Sequence, residues 1–254
     1  MCLLVDTHAH LEQIDNLEKV LAEARQANVV AIVAVGSDYE SNKQVLQIAE
    51  LYKGFIYPAL GWHPWFIKEA EIDLNLQFIE SNIDKAVAIG EIGLDYHKQV
   101  RARAEKGLQK RVLEAVLDLA REHGKPALIH SRYAWRDALD IVTASQVAGA
   151  VFHWYTGTSG VLKDIVGRGY YVSATPAVEY HEEHRRAVRE VPLERMLLET
   201  DSPVVYQRGS ELEYESRPSD VRRSLVGAAG LKGLSEVRMA AATTENAFKF
   251  FGIG

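Results

Sequence analysis

Only one cysteine, Cys2, stands among 254 residues, so no intramolecular disulfide framework holds this chain, and the composition suits a reducing compartment. Long apolar runs are missing too. No stretch is long enough to span a bilayer, and Met1 to Val5 leads straight into Asp6, His8 and His10 without a basic n-region or a cleavage site. These absences predict a cytoplasmic protein without a membrane partner. Positive charge is not in excess either: 29 Lys and Arg against 35 Asp and Glu leave a formal charge of −6. That balance excludes generic gripping of duplex DNA, which needs clustered Lys and Arg to displace counterions, but not a nucleic acid handled at one local cleft. No P-loop is present. Gly167-Arg168-Gly169 lacks a third glycine, Val172 standing at that spacing, and His181-Glu182-Glu183-His184 misses the i, i+4 histidines of a zincin.

What remains is 47% hydrophobic and 25% charged, an ordinary globular balance. No composition break demands a second unit, so residues 1–254 are expected to form one domain. Short β-rich apolar runs recur along the chain, and each ends in polar residues: Leu3 to Val5, Val29 to Val35, Phe55 to Leu60, Ala86 to Ile89, Ala127 to Ile129, Ala150 to Phe152, Tyr170 to Ser173 and Met196 to Leu198. Segments of helical period fall between them, near Leu17–Ala27, Glu40–Leu51, Leu74–Ile83, Ala104–His123, Ala134–Ala144, Gly160–Val166 and His181–Val188. Eight strand–helix units at this length predict an α/β fold of the (β/α)8 TIM-barrel type. Ser216 to Gly230 and Ser235 to Phe251 supply terminal helices, and Gln207 to Ser219 reads as a long surface loop.

In such a barrel the strand C-termini share one mouth, so polar residues there form a single site despite their distance in sequence. They are His8, His10, Glu91, His130, His153 and Asp201. Imidazoles and carboxylates suit zinc, manganese, magnesium or related divalent ions, and this set has donors enough for two ions sharing a carboxylate. Each histidine alone reads as a structural residue; six such groups at separate strand ends read as a metal centre. Trp62, Trp65, Trp135 and Trp154 adjoin the mouth blocks, where indoles either stack on unpaired bases or pack beneath loops. The basic stretch Lys98, Arg101, Arg103, Lys106, Lys110 and Arg111 can face the mouth only with its first part.

The blocks Asp6-Thr7-His8-Ala9-His10-Leu11, Gly61-Trp62-His63-Pro64, Gly90-Glu91-Ile92-Gly93-Leu94-Asp95-Tyr96, His130-Ser131-Arg132, Phe152-His153 and Glu199-Thr200-Asp201-Ser202-Pro203 occur in this order across nearly the whole chain. Together they resemble the TatD-like family of metal-dependent deoxyribonucleases in the amidohydrolase superfamily. The resemblance implies that His8, His10 and Asp201 hold one divalent ion and that His130 and His153 hold a second, with Glu91 bridging. It implies that His63 approaches a substrate phosphate, assisting as electrophile or in proton transfer, and that Asp201 orients the attacking water. Arg132 suits bidentate phosphate contact, the alternative being a rim ion pair. The expected activity is phosphodiester hydrolysis on DNA, from exposed ends, with no obligate protein partner. Ester or amide hydrolysis, such as removal of D-amino acids from tRNA, and a catalytically silent metal-stabilised binder are the alternatives. Departures from the family pattern cluster in the pocket loops: Tyr133 stands where the family has aspartate, Trp154-Tyr155 follow His153, and Val204 replaces an aromatic residue.

Overall fold

The computed structural model describes residues 2–254. Eight strands, β1 (Leu4–Ala9), β2 (Val29–Val35), β3 (Ile56–Trp62), β4 (Ala88–Asp95), β5 (Ala127–Arg132), β6 (Ala150–Phe152), β7 (Tyr171–Ala174) and β8 (Met196–Leu198), lie side by side in sequence order, each parallel to the next. The first and last are drawn together at their C-terminal ends, where the His10 amide donates to the Ser202 carbonyl at 2.8 Å and the Asp201 amide to that of His8 at 2.9 Å. Buried Asp6 reinforces this closure, accepting from the Thr200 amide at 2.9 Å and the Thr200 hydroxyl at 2.6 Å. The result is a nearly closed (β/α)8 barrel. Its helices are α1 (Leu17–Gln26), α2 (Tyr39–Leu51), α3 (Ile72–Asn82), the single turn α4 (Lys98–Arg101), α5 (Lys106–Glu122), α6 (Trp135–Ser145), α7 (Ser159–Gly167), α8 (Glu182–Glu190), α9 (Val221–Lys232) and α10 (Glu236–Phe251). Among the described residues no helix is long and apolar enough to cross a membrane.

Strand alternation divides the core in two. Val5, Ala31, Val33, Val35, Ala59, Ala88, Leu128, Val151, Tyr171 and Leu197 form an inner cluster, while their neighbours Ile32, Ala34, Ala127, Ile129, Phe152, Met196 and Leu198 pack outward against the helices. Ala247, Phe251 and Ile253, from α10 and just beyond it, join the inner cluster. Thr244 and Asn246 fasten that helix to the strand N-termini by donating to the carbonyls of Leu3 and Met196 at 2.8 and 2.9 Å. Ser235 caps α10 by accepting from the Arg238 amide, as its sequence position suggests.

Several boundaries differ from the apolar runs. β4 reaches Asp95 instead of stopping at Ile89, β1 reaches Ala9 and β5 reaches Arg132. Polar residues interrupt their last turns of the pleat, Asp6 and His8 in β1, Glu91 and Asp95 in β4 and His130 and Arg132 in β5, so a search for apolar stretches ends too early. The helix expected over Ala104–His123 is α5, with the single turn α4 added before it, and the helix expected from Ser216 begins only at Val221, after a 3-10 turn that opens on Pro218. Within the expected loop Gln207–Ser219, a small antiparallel ladder pairs Tyr206 with Tyr214 and Val205 with Glu215.

His184 on α8 is fully buried, 3.0 Å from the Tyr155 carbonyl through Nδ1, while Nε2 accepts from the Thr175 amide at 3.1 Å. Burial pushes its pKa down from 6.5 to about 4. The unfolded chain therefore takes up this proton below about pH 6.5 while the folded chain refuses it until about pH 4, so stability falls as pH falls through that window. The shift amounts to about 3 kcal/mol. Denaturant unfolding of wild type and His184→Gln should show the cost of the substitution shrinking by about that amount from neutral pH to pH 4; a pH-independent cost would contradict a neutral buried imidazole.

Candidate metal centre

The six expected mouth residues converge. His8 lies near the end of β1, His10 directly follows that strand, Glu91 lies within β4, His130 within β5, His153 immediately follows β6, and Asp201 stands three residues beyond the end of β8. Five of them line a cavity of about 840 Å³ at the strand C-termini, together with His63 and Arg132, and His8 is buried beneath. Glycine makes the convergence sterically feasible. A Cβ on Gly61 would strike the backbone of Gly90 and Glu91, and one on Gly93 would strike the carbonyl of His130. Both positions must lack a side chain for Glu91 to sit between its neighbours.

The two oxygens of Glu91 serve different partners. Oε2 lies 3.4 Å from His8 Nε2 and 3.5 Å from His10 Nε2; those two nitrogens are 3.4 Å apart, and each is 3.6 Å from Asp201 Oδ1. Donors held about 2.0–2.2 Å from a tetrahedral divalent ion stand about 3.3–3.6 Å from one another, so these spacings fit one. Oε1 faces the other way, 2.8 Å from His130 Nδ1 and 2.7 Å from His153 Nε2. Those nitrogens are 3.4 Å apart. The two groups of donors thus adjoin through Glu91: the spacings on the Oε2 side are those of ligands about one divalent ion, whereas those on the Oε1 side are direct hydrogen-bond distances.

Charge follows the same geometry. Against the burial that disfavours charge, His63, His153 and His8 hold the Glu91 carboxyl well below its ordinary range, and His10 with its neighbours lowers that of Asp201. Burial likewise opposes the charged forms of His10, His130 and His153, but the adjoining carboxylates overcome it and raise all three. His63 differs: burial dominates and pushes it down to about 4, so it is neutral at neutral pH. Its Nδ1 accepts from the Trp65 amide at 3.2 Å, which leaves the ring proton on Nε2, 3.5 Å from Glu91 Oε1. Although His63, Glu91 and His130 also lie close enough to share an ion, that tautomer makes His63 a hydrogen-bond donor into the cavity, not a ligand.

Sequence reasoning missed the supports behind these residues. Asp95 lies two alternations after Glu91 on β4; it receives the Trp65 indole N–H at 2.6 Å and meets His130 Nε2 at 3.2 Å. Burial opposes its charge, but the bonds from His130 and Trp65 bring its pKa down to about 2. Glu199, fully buried after β8, accepts from the Trp154 amide at 3.0 Å and stands 3.4 Å from His153 Nδ1. His10 Nδ1 faces the Val35 carbonyl at 3.0 Å. Asp95 and the Val35 carbonyl each hydrogen-bond the ring nitrogen opposite the one that faces the cluster, and Glu199 stands on that side of His153 as a neighbouring charge. The available signal was an acid one alternation from a mouth residue, as Glu199 is from Asp201. Of the flanking residues, none of the basic residues Lys98 to Arg111 lines the cavity, and Trp62 takes the packed alternative, buried with its indole N–H on the Phe66 carbonyl at 3.3 Å.

A parallel barrel whose mouth gathers imidazoles around a shared carboxylate has the form of a metal-dependent hydrolase. The family described as TatD related DNase matches residues 5–252, and the chain belongs to it. Deoxyribonuclease TATDN3 of Homo sapiens is 33% identical over 261 residues, covering 98% of this chain and 94% of that protein. The uncharacterized metal-dependent hydrolase YabD of Bacillus subtilis (strain 168) is 36% identical over 262 residues, covering 99% and 100%. The crystal structure of YJJV, a TatD homologue from Escherichia coli k12, superimposes with a TM-score of 0.88 at 26% identity, over 100% of this chain and 99% of that one.

If His153 binds an ion through Nε2, Glu199→Gln should weaken metal affinity about 10- to 100-fold, the usual cost of losing an outer carboxylate. Competition against a chromophoric chelator measures this. Unchanged affinity would remove Glu199 from the supporting set.

Proposed function

We propose that the chain, acting as one hydrolase domain over residues 1–254, hydrolyses phosphodiester bonds of DNA with two divalent ions of the zinc, magnesium or manganese class. The observation that carries this reading is the division of Glu91, one oxygen toward His8 and His10 and the other toward His130 and His153. In this reading His8, His10 and Asp201 hold one ion, His130 and His153 the other, and Glu91 bridges. Bound there, the ions lower the pKa of an attacking water and offset charge on a phosphate oxygen. Asp201, whose Oδ1 faces both His8 and His10, also orients the water and draws off its proton. His63, neutral, donates a hydrogen bond from Nε2 to a phosphate oxygen and keeps its proton. Arg132 lines the cavity with its nearest acid, Asp95, 4.0 Å away. That distance leaves its guanidinium free to take a phosphate in a two-pronged contact. The name of the human relative, deoxyribonuclease, agrees with a DNA substrate. The described fold has no helix able to span a membrane, which accords with action on DNA in the cytoplasm.

Asp201→Asn should abolish most turnover while the melting transition persists, because it removes a ligand charge and the proton acceptor at a rim that does not carry the core. Near-wild-type turnover at saturating metal would reject both roles. Arg132→Lys separates phosphodiester from carbonyl chemistry. Loss of the planar fork should slow phosphodiester hydrolysis by about one to two decades, equivalent to about 1.5–3 kcal/mol, and leave an uncharged ester much less affected. Equal loss on both substrates would indicate a displaced His130. Faster turnover of an aminoacyl ester than of a phosphodiester by the wild type would favour the deacylase alternative.

A further inference from the structure

Among the described residues four aromatic side chains are exposed, Trp65, Phe66, Tyr133 and Tyr180, and the first three line the cavity above the metal-ligand cluster. Burying such rings is normally favourable, and leaving several at one polar mouth marks a binding surface. Trp65 is 46% exposed although its indole N–H is fixed on Asp95 at 2.6 Å, so its orientation is set by the same carboxylate that meets His130. Tyr133 is 58% exposed and directly follows Arg132, whose guanidinium carbon lies 5.6 Å from the centre of its ring. On one side the ring leans on His97, at 6.3 Å and 25° between planes, and Trp135 meets it edge-on at 6.0 Å. The backbone of Tyr133 is left-handed, φ +56°, a conformation that bulky side chains adopt only when surroundings impose it. Trp65, Asp95, Arg132 and Tyr133 thus form a continuous line from an exposed indole, past a free guanidinium, to an exposed phenol ring.

We propose that Trp65 and Tyr133 form a nucleobase shelf, on which an unpaired base of a DNA strand stacks while Arg132 takes the adjoining phosphate. The occupant follows from the chemistry of the mouth. A cationic fork between two ring faces matches a nucleotide, which alternates anionic phosphate with a flat apolar base. The donors for divalent ions lie beneath, within the same cavity. A paired base offers no free face to such a shelf, so the strand must present an unpaired one. The proposal rests on the phosphodiesterase reading, and its test separates the two.

A short single-stranded DNA with a phosphorothioate at the terminal linkage is titrated against the metal-replete protein by fluorescence anisotropy. The strand is used complete and with the base removed from one terminal nucleotide, each end in turn. Wild type should bind the complete strand on the order of tenfold more tightly than its abasic counterpart at one end, the magnitude expected for one stacked base. Tyr133→Phe should keep that ratio and Tyr133→Asn should bring it toward unity. Asparagine tolerates the left-handed backbone, so the variant does not threaten the fold, whereas replacing Trp65 would release Asp95. Equal binding of both strands at both ends by wild type, or an unchanged ratio in Tyr133→Asn, would overturn the shelf. Metal-dependent cleavage of the same strand with natural linkages reports separately on the reaction. Base-dependent binding without cleavage would sink the phosphodiesterase reading and keep the shelf, and cleavage with base-independent binding would do the reverse.

Discussion

Glu91 is only 3% exposed in the middle of a parallel barrel, where a carboxylate is tolerated only against strong donors or cations. Most of the mouth can be understood as the means of satisfying it. Five imidazoles from four strand ends crowd its two oxygens, glycines at 61 and 93 let the neighbouring backbones approach, and the amide of Glu91 itself donates to the Gly36 carbonyl at 3.0 Å. The arrangement is self-consistent only as a set. Removing one histidine leaves a buried anion short of a partner, and removing the anion leaves imidazoles pressed together at 3.4 Å.

Around this anion a ring of supports converts folding stability into ligand orientation. Asp95 ties β4 to His130 and to the Trp65 indole; Glu199 lies behind His153, and Asp6 holds the Thr200 turn from which Asp201 projects. These acids are buried, and Asp6 and Asp95 engage both oxygens while Glu199 engages Oε1, in each case on groups that a mobile loop would leave to water. The site is thereby built on strands and strand ends, the most rigid parts of the barrel, while the variable pocket chemistry is confined to loops such as the one bearing Trp65 and the turn at Tyr133.

The barrel and its metal-type mouth were legible because two signals reinforce one another. Val29–Val35, Ala150–Phe152 and Met196–Leu198 appear at the expected bounds, since each is apolar along its whole length. Ligand types then recur at strand ends, and only a closed parallel barrel gathers them. The ends of β1, β4 and β5 were not legible, because residues such as Glu91 and Asp95 face a polar interior and mimic loop composition. The hairpin at Tyr206 and Tyr214 was hidden for the opposite reason, being two residues long on each side with no alternation to detect. The later part of the basic run after β4 takes the solvated face that a charge run usually takes, its charges paired locally, as in the 2.7 Å pairs of Lys110 with Asp137 and of Arg111 with Glu69. Which indole meets solvent depends on loop geometry that neighbouring residues do not encode. Trp62 and Trp65, three residues apart, have opposite fates.

The insertion of Phe251 and Ile253 into the inner cluster makes the barrel a blind well. Nothing passes through it. Substrate and product enter and leave by the mouth at which the ligand-type residues gather. A polymer cannot be threaded through such a well; it can be dipped in, cut and withdrawn, or advanced from a free end one unit at a time. The C-terminal helix, on the face farthest from the chemistry, thereby sets the traffic rules of the mouth.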